Sequence, residues 1–251
     1  MKRPAKKSMI FGRHPVVDAI NSGTAFDKVV LQKGTRGEFE KEIRHLCKKF
    51  NIPLQYVPKE RMAKMTSGNH QGVLGYLSLI SYYSIDDVLP MVYERSETPL
   101  FVILDGVTDV RNFGAIARSA EVCGAHALIV PQKGTAQINA EAMKTSAGAL
   151  MNIPVCRTNS LISTIEYLQL SGTHVVASDL KGEKQLHELD LNVPIALVVG
   201  SEGDGVSQAV LKAVNERFII PQKGQTDSLN VSVASGIMLY ETMRQRLLMG
   251  A

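Results

Sequence analysis

Six short apolar runs, at 101–104, 127–130, 153–156, 174–177, 195–199 and 218–220, recur through the C-terminal part of the chain, with helical or loop stretches between them. A parallel sheet buries both of its faces, so its strands read as continuous apolar runs rather than as alternating ones. Strands of this kind separated by helices imply a largely parallel sheet covered by helices. The fold class is therefore α/β. A length of 251 residues allows two modest domains or one large one.

The stretch ahead of these runs has a different texture. Residues 10–20 suggest a short turn into a helix, and Lys28-Val29-Val30-Leu31-Gln32 reads as a strand. Phe39, Ile43, Leu46 and Phe50 recur at steps of four, three and four, which makes one apolar stripe on a helix. Lys41, Arg44, Lys48 and Lys49 occupy its other faces. Pro53–Val57 and Gly72–Leu77 give a second and a third strand. The expected organisation is a basic tail at 1–8, a small α/β module at 9–80, a linker at 81–98 rich in Pro, Ser and alternating charge, and a larger domain at 99–251.

Charge is unevenly divided. Residues 1–80 hold 15 Lys and Arg against 6 Asp and Glu, whereas 81–251 hold 13 against 18. A basic first third is the electrostatic footprint of a polyanion partner, most often a nucleic acid. No apolar run is long enough to span a membrane, and the N-terminal residues are not followed by a signal-peptide core, so a cytoplasmic protein without membrane contact is expected. Cys47, Cys123 and Cys156 are odd in number and widely spaced, which suits reduced core thiols and neither a disulfide framework nor a metal site.

Three stretches carry the chemistry. The first, Asn112-Phe113-Gly114-Ala115-Ile116-Ala117-Arg118, follows the strand at 101–104. If a helix begins near Asn112, Arg118 lies about 600° of rotation further on, or roughly 120° around the axis. Arg118 is then either a buried ion-pair partner or an anion-binding group. The second, Gly200-Ser201-Glu202-Gly203-Asp204-Gly205, sits at the end of the strand at 195–199, where ligands of α/β sheets bind. Its order, G-x-x-G-x-G, is not the dinucleotide fingerprint, and it has no Walker lysine. The third, Ser228-Leu229-Asn230-Val231-Ser232-Val233-Ala234-Ser235-Gly236, reads as a loop capped by Ser228 or Asn230 and running into a helix whose first turns have little side-chain bulk. The strand ends at 200 and 220, separated by one short helix, are expected side by side, framing a narrow pocket for a purine and a small zwitterion. In the N-terminal module, Arg13-His14 and His70-Gln71-Gly72 are either RNA contacts or turns with ordinary capping.

Taken together and in this order, the three stretches resemble the motifs of the SpoU/TrmH branch of the SPOUT superfamily of S-adenosylmethionine-dependent RNA 2′-O-ribose methyltransferases. Phe11-Gly12-Arg13-His14-Pro15-Val16 and His70-Gln71-Gly72-Val73 are similar to the L30e-like substrate domain of the RlmB type, which modifies a guanosine in the peptidyl-transferase region of 23S rRNA. Val110 departs from the pattern, standing where the family usually has Pro. The resemblance implies a deep trefoil knot in the C-terminal domain, a homodimer, structured RNA as partner and S-adenosyl-L-methionine as cofactor, with no metal. It further implies that main-chain groups around Gly200, Ile220, Ser228 and Leu229 hold the cofactor. Asn112, Arg118, Glu202, Ser228 and Asn230 are the implied catalytic set, and Arg13, His14, His70 and Gln71 the RNA-binding set. A non-catalytic RNA-binding assembly factor, or a tRNA enzyme of the same family, are the competing readings.

Overall fold

The computed structural model describes residues 9–226 and 228–250, so the expected basic tail at 1–8 lies outside the described residues. The described residues form two compact units, one of residues 9–81 with Ile138–Ala140 and one of the remainder.

The first unit runs β1 (Met9–Phe11), α1 (Arg13–Asn21), β2 (Phe26–Gln32), α2 (Glu38–Lys49), β3 (Leu54–Val57), α3 (Lys59–Met65) and β4 (Val73–Leu77). Its sheet has the order β1-β4-β2-β3, antiparallel except for the β2/β3 pair. Alternation along β2 sorts the core. Val29 and Leu31 pack with Val16, Ile20, Ile43 and Leu46 of α1 and α2, while Val30 packs with Met62 of α3 and Leu74. Phe50 departs from the expected stripe on α2. It is the residue at which the helix ends, and it is exposed, while Cys47 takes the buried place.

The second unit opens with β5 (Tyr82–Tyr83), α4 (Ile85–Glu94), β6 (Leu100–Leu104), α5 (Val110–Val122), β7 (Ala127–Pro131), α6 (Ala140–Thr145), β8 (Val155–Thr158) and α7 (Leu161–Leu170). It continues with β9 (His174–Ser178), β10 (Lys184–Gln185), β11 (Ile195–Val199), α8 (Gln208–Ala213), β12 (Glu216–Ile219) and α9 (Val231–Leu248). All eight strands pair in parallel, in the order β10-β12-β9-β11-β6-β7-β8-β5. Phe101, Ile103, Ala127, Ile129, Ala196 and Val198 face α4, α7 and α8, and the alternate residues of the same strands are equally buried. That burial on both faces is why the runs show no polar alternation.

Two expectations need correcting. The stretch at 81–98, read as a linker, contains β5 and α4. Ser84 caps α4, and Ile85, Val88, Leu89 and Val92 at helical spacing enter the core, so its charges are simply the outer face of an amphipathic helix. The ends of β11 and β12 are not side by side either. β9 lies between them, because β12 pairs with the outer edge of β9, where the Asn215 side chain also accepts the Val175 N–H.

The last helix is held by a cation. Arg246 of α9 donates to the main-chain oxygens of Thr98, Pro99, Leu191 and Val193, and burial pushes its pKa down. Nearby, His126 Nδ1 accepts the Leu100 N–H while Nε2 donates to Glu97. Arg246→Met is expected to cost about 2–4 kcal/mol in urea unfolding, because it leaves several carbonyls without a donor. Burial depresses the His126 pKa, so the native ring takes up a proton less readily than the unfolded one. Its contribution to stability is complete above about pH 6.5 and is lost as pH falls, since the unfolded ring then takes up a proton that the folded one refuses. Unfolding curves at pH 7.5 and 5 should converge more closely for His126→Asn than for the native chain.

Candidate active site

The site grows from three chain reversals. At the first, Asp109 ends the loop after β6, and its carboxylate accepts the Arg111 and Asn112 N–H groups as the N-cap of α5. Those bonds, the one from Asn112 foremost, hold its pKa below the usual carboxylate value. Val110 is the first residue of α5. Proline suits that position by presetting φ, so Val gives up preorganisation without removing a bond.

At the second, the chain leaves β11 at Gly200 and folds back on itself. Ser201 and Gly205 exchange main-chain hydrogen bonds of 3.0 and 3.1 Å. A Cβ on Gly200 would fall 1.9 Å from the Gly205 carbonyl carbon, so only glycine permits this closure. Gly205 adopts φ +66°, the left-handed conformation glycine tolerates. The Ser207 N–H, just beyond, donates to Asp105 at the end of β6.

At the third, Asn230 caps α9. Its Oδ1 accepts the Ser232 N–H at 2.9 Å, the Ser232 hydroxyl at 2.6 Å and the Val233 N–H at 3.4 Å. Its Nδ2 donates to Asn112 Oδ1 at 3.2 Å and to Glu202 Oε1. One carboxamide thus joins all three stretches. Of the two capping candidates, Asn230 is the one used, and Ser228 instead lines the neighbouring cavity.

That cavity, of about 610 Å³, lies over the C-terminal ends of β9, β11 and β12. Gly200, Glu202, Ile220, Ser228 and Leu229 line it, and Val199, Val231 and Ala234 add apolar wall. Ser178, Asp179 and Lys181, at the end of β9, also line it and were missed from sequence. The available signal was the polar Ser178-Asp179 closing an apolar run, with Gly182 shortly after. Asp179 pairs with Arg217 at 3.6 Å and accepts the Lys181 N–H.

Arg118 does not line the cavity. It is exposed on α5 and has no ion pair or hydrogen bond among the described residues, which removes the buried ion-pair reading. In the first unit, Arg13 and Gln71 come together. The Arg13 N–H donates to Gln71 Oε1 at 3.0 Å, and the Arg13 guanidinium stacks over Phe39 at 4.7 Å. His70 Nδ1 accepts the Gly72 N–H, and His14 is exposed.

A family model described as "SpoU rRNA Methylase family" matches residues 99–240, and a second, described as "RNA 2'-O ribose methyltransferase substrate binding", matches residues 9–83. The chain belongs to the SpoU rRNA methylase family. YacO of Bacillus subtilis, assigned to the TrmH family of tRNA/rRNA methyltransferases, is 33% identical over 94% of this chain and 95% of its own length. Among solved structures, an AdoMet-bound rRNA methyltransferase from Sinorhizobium meliloti superimposes with a TM-score of 0.60 at 27% identity, covering 94% of this chain and 86% of that one. A TrmH/SpoU tRNA modifying enzyme of A. aeolicus gives 0.57 at 31% identity, over 66% of this chain and 85% of its own. Membership of the SpoU family makes the chain an RNA methyltransferase of SPOUT fold.

Asn230 both caps α9 and ties the stretches, and two substitutions separate these roles. Asn230→Ala removes both and should cost about 1–2 kcal/mol. Asn230→Asp keeps an acceptor for the cap but sets a carboxylate against Glu202. Its deficit against the native chain, read from thermal unfolding, should be larger at pH 7.5 than at pH 4.5, where one of the two carboxylates takes up a proton.

Proposed function

We propose that the protein methylates the ribose 2′-hydroxyl of a guanosine in the peptidyl-transferase region of 23S rRNA, with S-adenosyl-L-methionine as the methyl donor. The observation that carries this reading is the Asn230 carboxamide, bonded to Asn112 and to Glu202, the latter a lining residue of the cavity that Gly200, Ile220 and Leu229 also line. The cavity falls within the roughly 300–1,000 Å³ of cofactor sites. Its apolar wall suits a purine, and its serines, Asp179 and Glu202 offer partners for hydroxyl and ammonium groups. The donor, when bound, supplies an electrophilic methyl group.

The chain's own residues have to position the hydroxyl and handle its proton and charge. Glu202 is held by Asn230, which favours its role as a brace of the glycine loop. Arg118 is exposed and unpaired among the described residues, so its guanidinium is available to an RNA phosphate and to charge developing on the ribose oxygen. Its guanidinium is a fork of N–H donors with no acceptor atom, so it is a poor proton acceptor. Asn112 and Ser228 orient the ribose beside it.

Two observations support the wider reading. The rRNA methyltransferase from S. meliloti covers 94% of this chain, N-terminal unit included, whereas the A. aeolicus tRNA enzyme covers 66%, which favours ribosomal over transfer RNA. Val233, Ile237 and Tyr240 of α9 are 51, 38 and 59% exposed and follow one another at helical spacing, an apolar stripe suited to the expected homodimer. The trefoil knot and a cytoplasmic location belong to the same reading. No helix among the described residues is long and apolar enough to cross a membrane.

In cells lacking the protein, mass mapping should find one 2′-O-methylguanosine of 23S rRNA missing, restored by re-expression. A mark missing from tRNA instead would move the substrate. Survival of every mark would favour an assembly factor. Arg118→Lys is expected to lower turnover about 100-fold with cofactor affinity unchanged, because an ammonium cannot reproduce the guanidinium fork.

A further inference from the structure

The first unit carries the chain's positive charge, but that charge is not equivalent across its surface. On α2, Lys41 pairs with Glu38 at 3.1 Å and Arg44 lies 3.8 Å from Glu40, so much of the helix's charge is compensated locally. One end of the sheet is different. Three stretches converge there: 11–15, from the last residue of β1 through the first turn of α1; 32–37, from the last residue of β2 to the start of α2; and 66–72, between α3 and β4. Their convergence is fixed by bonds. The Gly12 N–H donates to Val73 O, the Gln32 N–H donates to Gly72 O, and the Arg13 N–H donates to the Gln71 side chain. Gly72 also lies against Gln32 and Thr35, and Gly68 lies against the Phe11 ring so closely that a Cβ would come within 2.5 Å of it.

These three stretches contain Arg13, His14, Lys33, Arg36 and His70 and no Asp or Glu, while Glu38 and Glu60 open α2 and α3 at the same end. Lys33 and Arg36 have no ion pair among the described residues. Gly34 and Gly37, which flank Thr35 and Arg36, have φ of +92° and +91° with nothing within 4 Å of where a Cβ would be, so the main chain there is open to close approach. Phe11 is 38% exposed at the same end, one side of its ring packed on Gly68.

We propose that this loop end is the RNA-docking face of the N-terminal unit, and that it takes an unpaired RNA segment. Arg13, Lys33 and Arg36 contact backbone phosphates and Phe11 offers a stacking surface to a base. Resting on the RNA methyltransferase reading above, the assignment adds Lys33, Arg36 and Phe11 to the expected RNA-binding residues. It also moves Gln71 from ligand contact to scaffold, since its side-chain oxygen is already committed to Arg13. An unpaired segment fits better than a duplex, because an exposed ring edged by cations recognises splayed bases, whereas a regular A-form helix hides them.

The test uses the full-length protein and fluorescence anisotropy with a 20-nucleotide single-stranded RNA, and with the same sequence as a duplex, between 50 and 200 mM salt. Lys33→Ala/Arg36→Ala is expected to weaken single-strand binding about tenfold and to reduce the slope of log affinity against log salt by roughly 1.4, the loss of two phosphate contacts. Phe11→Ala should weaken single-strand binding about tenfold with the slope unchanged. The control Lys41→Ala/Lys48→Ala on α2 should change neither by more than about twofold. Circular dichroism and cofactor calorimetry establish that each variant is folded. If the α2 control loses affinity and the loop variants do not, or if the duplex is preferred, the docking face is wrong while the methyltransferase reading stands. If the native chain binds cofactor but neither RNA, both fail.

Discussion

The site depends on a single side-chain amide. Asn230 must turn its oxygen toward the first N–H groups of α9, because an uncapped helix end leaves donors unsatisfied. That choice leaves Nδ2 pointing the other way, where it meets Asn112 at the start of α5 and Glu202 on the loop after β11. The local need of one helix therefore sets the relative positions of two other segments far away in sequence. Aspartate would cap α9 nearly as well but offers no donor when ionised, and serine carries its single proton on the capping oxygen itself rather than on a separate nitrogen facing the other way.

Close approach of main chain is the second constraint. Gly200 lets the loop after β11 fold back upon Gly205, and Gly114 lets α5 approach the end of α6, where a Cβ would lie 2.7 Å from the Ala142 carbonyl oxygen. The stretch of small residues at the start of α9 plays a related part. Gly236 faces Ser119 of α5, where an added Cβ would meet the Ser119 hydroxyl at an ordinary contact distance of 3.8 Å, so the small face of α9 is turned inward, against α5. Larger residues of the same helix, Val233, Ile237 and Tyr240, form the outward stripe. The absence of bulk thus serves the internal contact, and the apolar exposure serves a separate one.

Much of this was legible in the residues. The six apolar runs are six strands, to within a residue or two, since burial on both faces leaves a compositional trace that needs no tertiary knowledge. The glycine loop after β11 and the capped start of α9 were legible for a similar reason, as each uses a residue type that few conformations demand. The region at 81–98 was misread because an amphipathic helix with a proline and several charges shares its composition with a linker, and only packing of Ile85, Val88, Leu89 and Val92 tells them apart. Asp179 was missed because a carboxylate after a strand is unremarkable until its neighbours in space are known.

What the sequence by itself determined is the local structure: strand, helix, cap and turn, each dictated by side-chain and backbone preferences within a few residues. It also determined the gross charge asymmetry. What only the tertiary structure decided is order and partnership. Strand order placed β9 between β11 and β12, contrary to the expectation from chain distance, and so brought Ser178 to Lys181 into the cavity wall. Packing left Arg118 outward and unpaired among the described residues, where the residues alone allowed a buried ion pair. It also drew three separate loops of the first unit together at one end of its sheet. Adjacency of this kind is a property of which surfaces bury one another, and no window along the chain contains it.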